Sequence, residues 1–258
     1  MRWRCAVKYQ SDIIIWTDLE TTGLDPHEGS ILEIAMVATD GNLQQIGAPF
    51  VSIVQPLHLR GYEVMDAFVV DMHIKNGLMT DLYDGVASIA DEKGNLSLVG
   101  HPVLRDNLPR LGDVERAAID WIKSTLASCN CLDRAKAATG SHDLSCASFI
   151  EWKKEAKGIP LGGNTVHFDK RWMIVHMDDL EALFSHRIVD VSSFTEMAKR
   201  IAKPVYNKRP GLGPDGKPLP THRALPDIRS SIATLLYYED AGFLQKFVEP
   251  SEIAKGAP

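Results

Sequence analysis

A mixed α/β domain, a central sheet flanked by helices, is the fold class this chain predicts, and two observations predict it. The first part carries three apolar, strand-like runs joined by tight turns; the later part alternates strand and helix. Strands joined by hairpins run antiparallel and strands joined through helices run parallel, so one sheet holding both kinds is expected. With 258 residues, 45% hydrophobic and 24% charged, the chain can bury a large core, and one domain over 1–258 with inserted segments is expected.

The elements follow in order. IIIWTDLETTG (13–23) opens as a buried strand, apolar on both faces, and ends in carboxylates. SILEIAMVATD and QQIGAPFVSIVQP are the next two strands, and Asp40-Gly41-Asn42 between them marks a hairpin. A helical stretch around 63–72 continues through HIKNGLMTDLYDGV to about residue 86. Residues 87–112 are polar, punctuated by Gly and Pro and without periodicity, which reads as an insertion or long loop. DVERAAIDWIKSTLASC (113–129) places Val114, Ala117, Ala118, Trp121, Ile122 and Leu126 at helical spacing, with Asp113 as N-cap. A second insertion, 130–158, contains the helix candidate SCASFIEWKKEAKG, capped by Ser145 and stopped by Gly158.

From there the rhythm is strand, helix, strand, helix: PLGGNTVHF into DKRWMIVHMDDLEALF, then HRIVDV into SSFTEMAKRIAK. Five prolines and three glycines between Pro204 and Pro220 exclude helix and central strand and make a long functional loop, which runs into His222. The last helix is PDIRSSIATLLYYEDAG. A first turn tolerates Pro226 but a helix interior does not, so this helix starts no earlier than about Ala224 and leaves His222 on the loop.

Composition narrows the function. No apolar run approaches the roughly 18 residues of a membrane span, and the basic start MRWRCAVKYQ lacks the apolar stretch of a secretory signal. Four cysteines fit a reducing cytoplasm, with a short organellar targeting segment still compatible. Cys129, Cys131, His142 and Cys146 lack the C-x2-C knuckle of a zinc site. A net charge of −6 argues against a protein that coats long nucleic acid. The charge is uneven, however: Thr195 to Arg223 holds seven Lys or Arg against Glu196 and Asp215, a local excess of +5 that attracts phosphate.

Asp18 and Glu20 end the first strand, Asp169 stands where the fourth strand gives way to helix, and His222 and Asp227 stand at the start of the last helix. Side chains from such element ends converge in α/β sheets. Four converging carboxylates repel one another unless cations compensate, and oxygen-rich sites suit Mg²⁺ or Mn²⁺. Two such ions about 4 Å apart can activate a water and stabilise the leaving oxygen of a phosphoryl displacement. His222 has the intrinsic pKa range of a base for that water.

DLETTGL (18–24), GNTVHFD (163–169) and HRALPD (222–227), in that order, resemble the motifs of the DEDD-type 3′→5′ exonucleases, over roughly 11–85 and 160–243. A histidine five residues before the final aspartate places the resemblance in the histidine branch, and implies an RNase H-like (exonuclease) fold. GNTVHFDKRWM and SHRIVDVSSFTEMAKR are most similar to the oligoribonucleases, which degrade very short RNA from the 3′ end. That resemblance implies a homodimer, two divalent ions held by Asp18, Glu20, Asp169 and Asp227, and a cap on the substrate's 5′ phosphate from Thr165, Arg187 and Ser192. It further implies substrate contacts from Leu24, His73, Phe68 (where the family carries tryptophan) and His186 (where it carries a cross-dimer tyrosine).

The expected activity is hydrolysis of short single-stranded RNA, dinucleotides included, from the 3′ end to 5′-mononucleotides. The alternatives are a broader exonuclease trimming single-stranded DNA or longer RNA, and a catalytically silent nucleotide-binding module. Blander roles stay open for single residues. Thr165 and Ser192 could satisfy nearby backbone groups, Arg187 could form an ordinary ion pair, and Leu24 and Phe68 could be core or rim.

Overall fold

The computed structural model describes residues 13–57, 65–128, 158–212 and 221–244. Strand β1 (Ile14–Thr21) pairs antiparallel with β2 (Ile31–Thr39), which pairs antiparallel with β3 (Gln45–Ile53). Asp40 closes the β2–β3 turn by accepting the N–H groups of Asn42 and Gln44, each at 2.9 Å. Leu43, rather than Gly41, takes the left-handed conformation there (φ 62°).

Helices α1 (Ala67–Lys75) and α2 (Leu78–Leu82) follow, joined by Asn76 and a left-handed Gly77 (φ 85°). Next come β4 (Tyr83–Asp84), β5 (Ala87–Ala90), β6 (Leu96–Val99) and β7 (Val103–Leu104). Residues 87–112 are therefore not a structureless loop. β5 and β6 form a hairpin whose turn is closed by Asp91 accepting from Lys93 and Asn95, and β7 pairs with β4. The strands are short and largely exposed, so they leave no apolar period for sequence reading to detect.

Helix α3 (Leu111–Ser128) begins earlier than expected and places Asp113 inside its first turn, not at the N-cap. Val114, Ala118, Ile122 and Leu126 are buried at four-residue steps; Ala117 is exposed, and Trp121 is partly covered with its indole N–H on the Ala48 carbonyl. The Cys129–Cys146 grouping and the 145–158 helix candidate lie outside the described residues, apart from Gly158.

Strand β8 (Ile159–Gly163) lies parallel to β1, and β9 (Phe184–Asp190) lies parallel to β8. Between them run α4 (His167–His176) and α5 (Asp178–Glu181). After β9 come α6 (Val191–Ile201), α7 (Lys203–Tyr206) and α8 (Ala224–Asp240). The short α7 corrects the expectation that the proline-rich segment holds no helix: Pro204 sits in the first turn, where its missing N–H costs no bond. Residues 213–220 of that segment lie outside the described ones.

The sheet order is β3-β2-β1-β8-β9, with β2 antiparallel to its neighbours. Counted along the sheet this is 3-2-1-4-5, the arrangement an RNase H-like exonuclease fold implies. Alternation in β1 sorts two cores. Ile15 and Leu19 face α3 and α4, whereas Trp16 faces α6 and α8 among Val37, Val191, Ile228 and Tyr238. Asp18 and Glu20 continue the Trp16 register, so both carboxylates emerge on the α8 face at the carboxyl end of β1. Among the described residues no helix is long and apolar enough to cross a membrane.

Gly162 of β8 sits beside Trp16, and a Cβ there would lie 2.7 Å from the indole and 2.8 Å from Ile14. Gly162→Ala is expected to destabilise the fold by about 1–3 kcal/mol through overpacking. Urea unfolding checks this, and wild-type stability would mean that the indole shifts without cost.

Candidate active site

The site is assembled at the carboxyl ends of the parallel strands. Asp18 and Glu20 come from β1, and Asp227 from the first turn of α8, which is Ala224–Asp240. Each offers one carboxylate oxygen, and the three lie within 4.8 Å of one another. Asp169, buried in the first turn of α4, stands alongside but outside that triangle, and its Oδ1 accepts the Leu19 N–H at 2.9 Å. His222 precedes α8 with a left-handed backbone (φ 41°) and lines the same cavity. That cavity is about 560 Å³, and its walls also include Asn164, Thr195, Arg209 and Thr221.

Charge is the dominant feature. Burial, then the charges of Asp227 and Glu33, push the Glu20 carboxyl up to about 8. Asp18 is raised well above the carboxylate range by burial and by Asp169 and Glu20. Burial pushes Asp169 up to about 7 against the N–H groups it accepts. Asp227 is raised by burial, with the Thr221 hydroxyl that it accepts pulling the other way. Carboxylates that resist ionisation as a group, all offering hard oxygen donors, fit a divalent cation.

The substrate-contact candidates are placed unevenly. Leu24 is 80% exposed and Phe68 70% exposed, which removes a core role for either. Thr165, also exposed, holds a left-handed backbone (φ 61°) with its N–H on Asp190 Oδ1 at 2.7 Å. Ser192 donates its hydroxyl to Asp190 Oδ2 at 2.7 Å. Burial alone would raise the Asp190 carboxyl; the bonds from Ser192, Thr165 and Ser193 outweigh it and hold the group below its ordinary value. His186 and Arg187 are exposed on β9, an outer strand of the sheet, and Arg187 forms no ion pair among the described residues. His73 is not on the cavity wall. It is fully buried, with Nε2 3.2 Å from the Thr21 carbonyl.

A sequence profile of the exonuclease family matches residues 15–92. An oligoribonuclease of Aromatoleum aromaticum is 30% identical over 231 residues, covering 88% of this chain and 92% of its own length. One from Aeromonas hydrophila is 30% identical over 233 residues, covering 89% and 95%.

The chain belongs to the oligoribonuclease family.

An oligoribonuclease of Streptomyces coelicolor is 28% identical over 95% of this chain and 94% of its own. Among solved structures, Escherichia coli exonuclease I with single-stranded DNA and zinc aligns with 91% of this chain at TM-score 0.46 and 14% identity, and the chain spans 42% of that protein.

In this oligoribonuclease-family chain, sequence reading missed Glu33 and the use made of Arg223. Glu33 is opposite Glu20 in the β1–β2 register and is 2% exposed. Arg223 donates from Nη2 to its Oε1 at 2.8 Å and from Nε to its Oε2 at 3.1 Å, and the Ala224 N–H also donates to Oε2 at 2.9 Å. Arg223 Nη2 also reaches Asp81 at 2.9 Å. Glu33 stands in an apolar run, ILEIA, and its only sequence signal was an acid at a position that alternation would bury. Of the basic segment, Arg209 lines the cavity and packs on the Tyr206 ring, while Lys199 and Arg200 pair with Glu196.

Unfolded carboxyls titrate near about 4, so between that value and the raised values the folded protein holds more protons than the unfolded chain. The stability these groups contribute is full below the unfolded value and is lost as pH rises through about 7 for Asp169 and about 8 for Glu20. Metal-free protein is expected to melt progressively lower from about pH 5 to about pH 8.5, and Glu20→Gln to flatten that slope. Stabilisation by added Mn²⁺ should grow over the same interval, as the ion replaces protons. Thermal melts with and without chelator test this; a slope unchanged in Glu20→Gln would contradict it.

Proposed function

We propose that this chain is a metal-dependent 3′→5′ exoribonuclease that hydrolyses short single-stranded RNA to 5′-mononucleotides. The observation that carries the reading is the convergence of Asp18, Glu20 and Asp227 with His222 around one open cavity. Two divalent ions, Mg²⁺ or Mn²⁺, are proposed, which Asp18, Glu20, Asp227 and Asp169 would hold through their carboxylate oxygens. When bound, they would supply Lewis-acid stabilisation of the attacking and leaving oxygens.

The chain's own residues do the rest. His222 takes the proton of the attacking water, whose oxygen forms a bond to the terminal phosphorus. The bond from phosphorus to the 3′ oxygen of the preceding nucleotide breaks, that oxygen leaves and is protonated, and a 5′-mononucleotide is released. Asp18 and Glu20 are held at fixed separation because they project from one face of a strand buried between two cores. Arg209 adds positive charge to the cavity wall, in keeping with an anionic substrate.

Thr165, Arg187 and Ser192 are proposed as the cap on the substrate's 5′ phosphate. Two bonds to Asp190 draw the Thr165 backbone toward Ser192, and the Arg187 guanidinium is exposed and has no competing carboxylate among the described residues. Leu24 and Phe68 are proposed to meet bases, since exposed apolar side chains of this size suit stacking and wedging. A homodimer formed along the β9 edge would carry His186 to the neighbouring copy. A reducing cytoplasm is the proposed compartment.

The test is a time course on labelled RNA of graded length, with matched DNA, in Mg²⁺ or Mn²⁺. Fast cleavage of the shortest RNA is expected, and His222→Ala should lower kcat by about 10²–10⁴-fold. Arg187→Ala should erase the preference for dinucleotides while leaving slow cleavage of longer RNA. Stepwise shortening of long RNA or DNA by the wild type would instead favour a trimming exonuclease, and inactivity in both metals a binding module. Light scattering during size exclusion decides the dimer.

A further inference from the structure

Asn76 lies in the turn between α1 and α2, well separated in sequence from every carboxylate of the site, and all its polar groups are engaged. Its Oδ1 accepts the Leu78 N–H at 2.9 Å, which orients the amide. Its Nδ2 donates to the carbonyl of His222 and approaches His73 Nδ1 at 3.4 Å. Its own carbonyl accepts from Arg223 Nη1 at 3.4 Å.

The protons can be placed throughout this network. The Thr21 carbonyl can only accept, so the buried His73 carries its proton on Nε2. Burial also holds the His73 imidazole below the usual histidine range, leaving Nδ1 bare to accept one Asn76 N–H while the other goes to His222. The bracket thus runs from Thr21, next to Glu20 on β1, through His73 and Asn76 to the backbone of His222. At its far end His222 holds a left-handed φ of 41°, uncommon for a non-glycine residue. Arg223, clamped to Glu33, holds the next residue.

We infer that Asn76 is a positioning residue for His222, fixing the backbone of the proposed base relative to the carboxylates of β1 through its bond to the His222 carbonyl. His73 belongs to the same bracket: it orients the Asn76 amide. The inference rests on the reading of His222 as the base, and assigns to the α1–α2 turn a role in the chemical step and not in substrate affinity.

Two variants separate positioning from mere support. Asn76→Ala removes every side-chain bond of the residue. Asn76→Asp keeps the acceptor for Leu78 N–H, and so the start of α2, but removes the donor to His222. Both are expected to lower kcat on a dinucleotide by about tenfold to a hundredfold, the scale of a misplaced catalytic group, with KM and Mn²⁺ stabilisation held near wild type. If Asn76→Ala fails to fold, Asn76→Asp carries the test. A wild-type kcat in Asn76→Asp, or a raised KM with kcat kept, would overturn the inference.

A second readout needs no turnover. In metal-free protein labelled at histidine, the His222 imidazole resonance, assigned with His222→Ala, should shift or broaden in Asn76→Asp. An unmoved resonance would sink the positioning role. If wild-type protein cleaves none of the RNAs, it is the exonuclease reading that fails, and the resonance still decides whether Asn76 sets the place of His222.

Discussion

Repulsion among acids on one face of two paired strands governs this end of the molecule. Asp18, Glu20 and Glu33 all point toward α8, and Glu20 and Glu33 are register partners. Like charges directly opposite each other on a sheet are destabilising, and burial makes them more so. The protein resolves the two halves of the problem differently. Glu33 is neutralised for good by Arg223 and the Ala224 N–H, which makes it a structural anchor for the start of α8. Asp18 and Glu20 have no such partner among the described residues, and with Asp227 they form the acidic cluster whose oxygens suit a cation.

The anchor explains why the last helix starts where it does. Ala224 begins α8 directly after the arginine that grips the sheet, so Asp227 is delivered to the β1 carboxylates with little freedom. Removing Arg223 would leave the buried Glu33 carboxylate uncompensated, beside carboxylates already raised by burial. The loop residue between helix and cavity, His222, is held from the other side by Asn76. Four segments, the end of β1, the start of β2, the α1–α2 turn and the start of α8, thereby share one hydrogen-bonded frame.

The cavity itself follows from the parallel half of the sheet. β8 and β9 run alongside β1, so the residues that follow them, Asn164 and Val191, open at the same end as Asp18 and Glu20. The carboxylates form one wall of the cavity, and the hydroxyls of α6 and α8 with the cation of Arg209 form others. Such a pocket suits a polar, anionic ligand and offers little to an apolar one.

Much of this was legible in the linear chain, because the relevant signals are local. Apolar runs and turn residues announced the first three strands and the hairpin; Pro226 placed the start of the last helix; the three motifs named Asp18, Glu20, Asp169, His222 and Asp227. What no local pattern carried were the partnerships. Glu33 reads as one more strand residue, Arg223 as one cation in a basic stretch, and Asn76 as a turn former, until the antiparallel register sets Glu33 against Glu20 and the fold brings residues 146 and 190 positions apart into contact. The short exposed strands at 87–99 escaped for the opposite reason, having too little buried surface to impose a period. Sequence alone determined which groups could do chemistry, since that depends on residue type and spacing. Only the tertiary structure decided which charges are neutralised and which are left to hold an ion, since that depends on distance and burial.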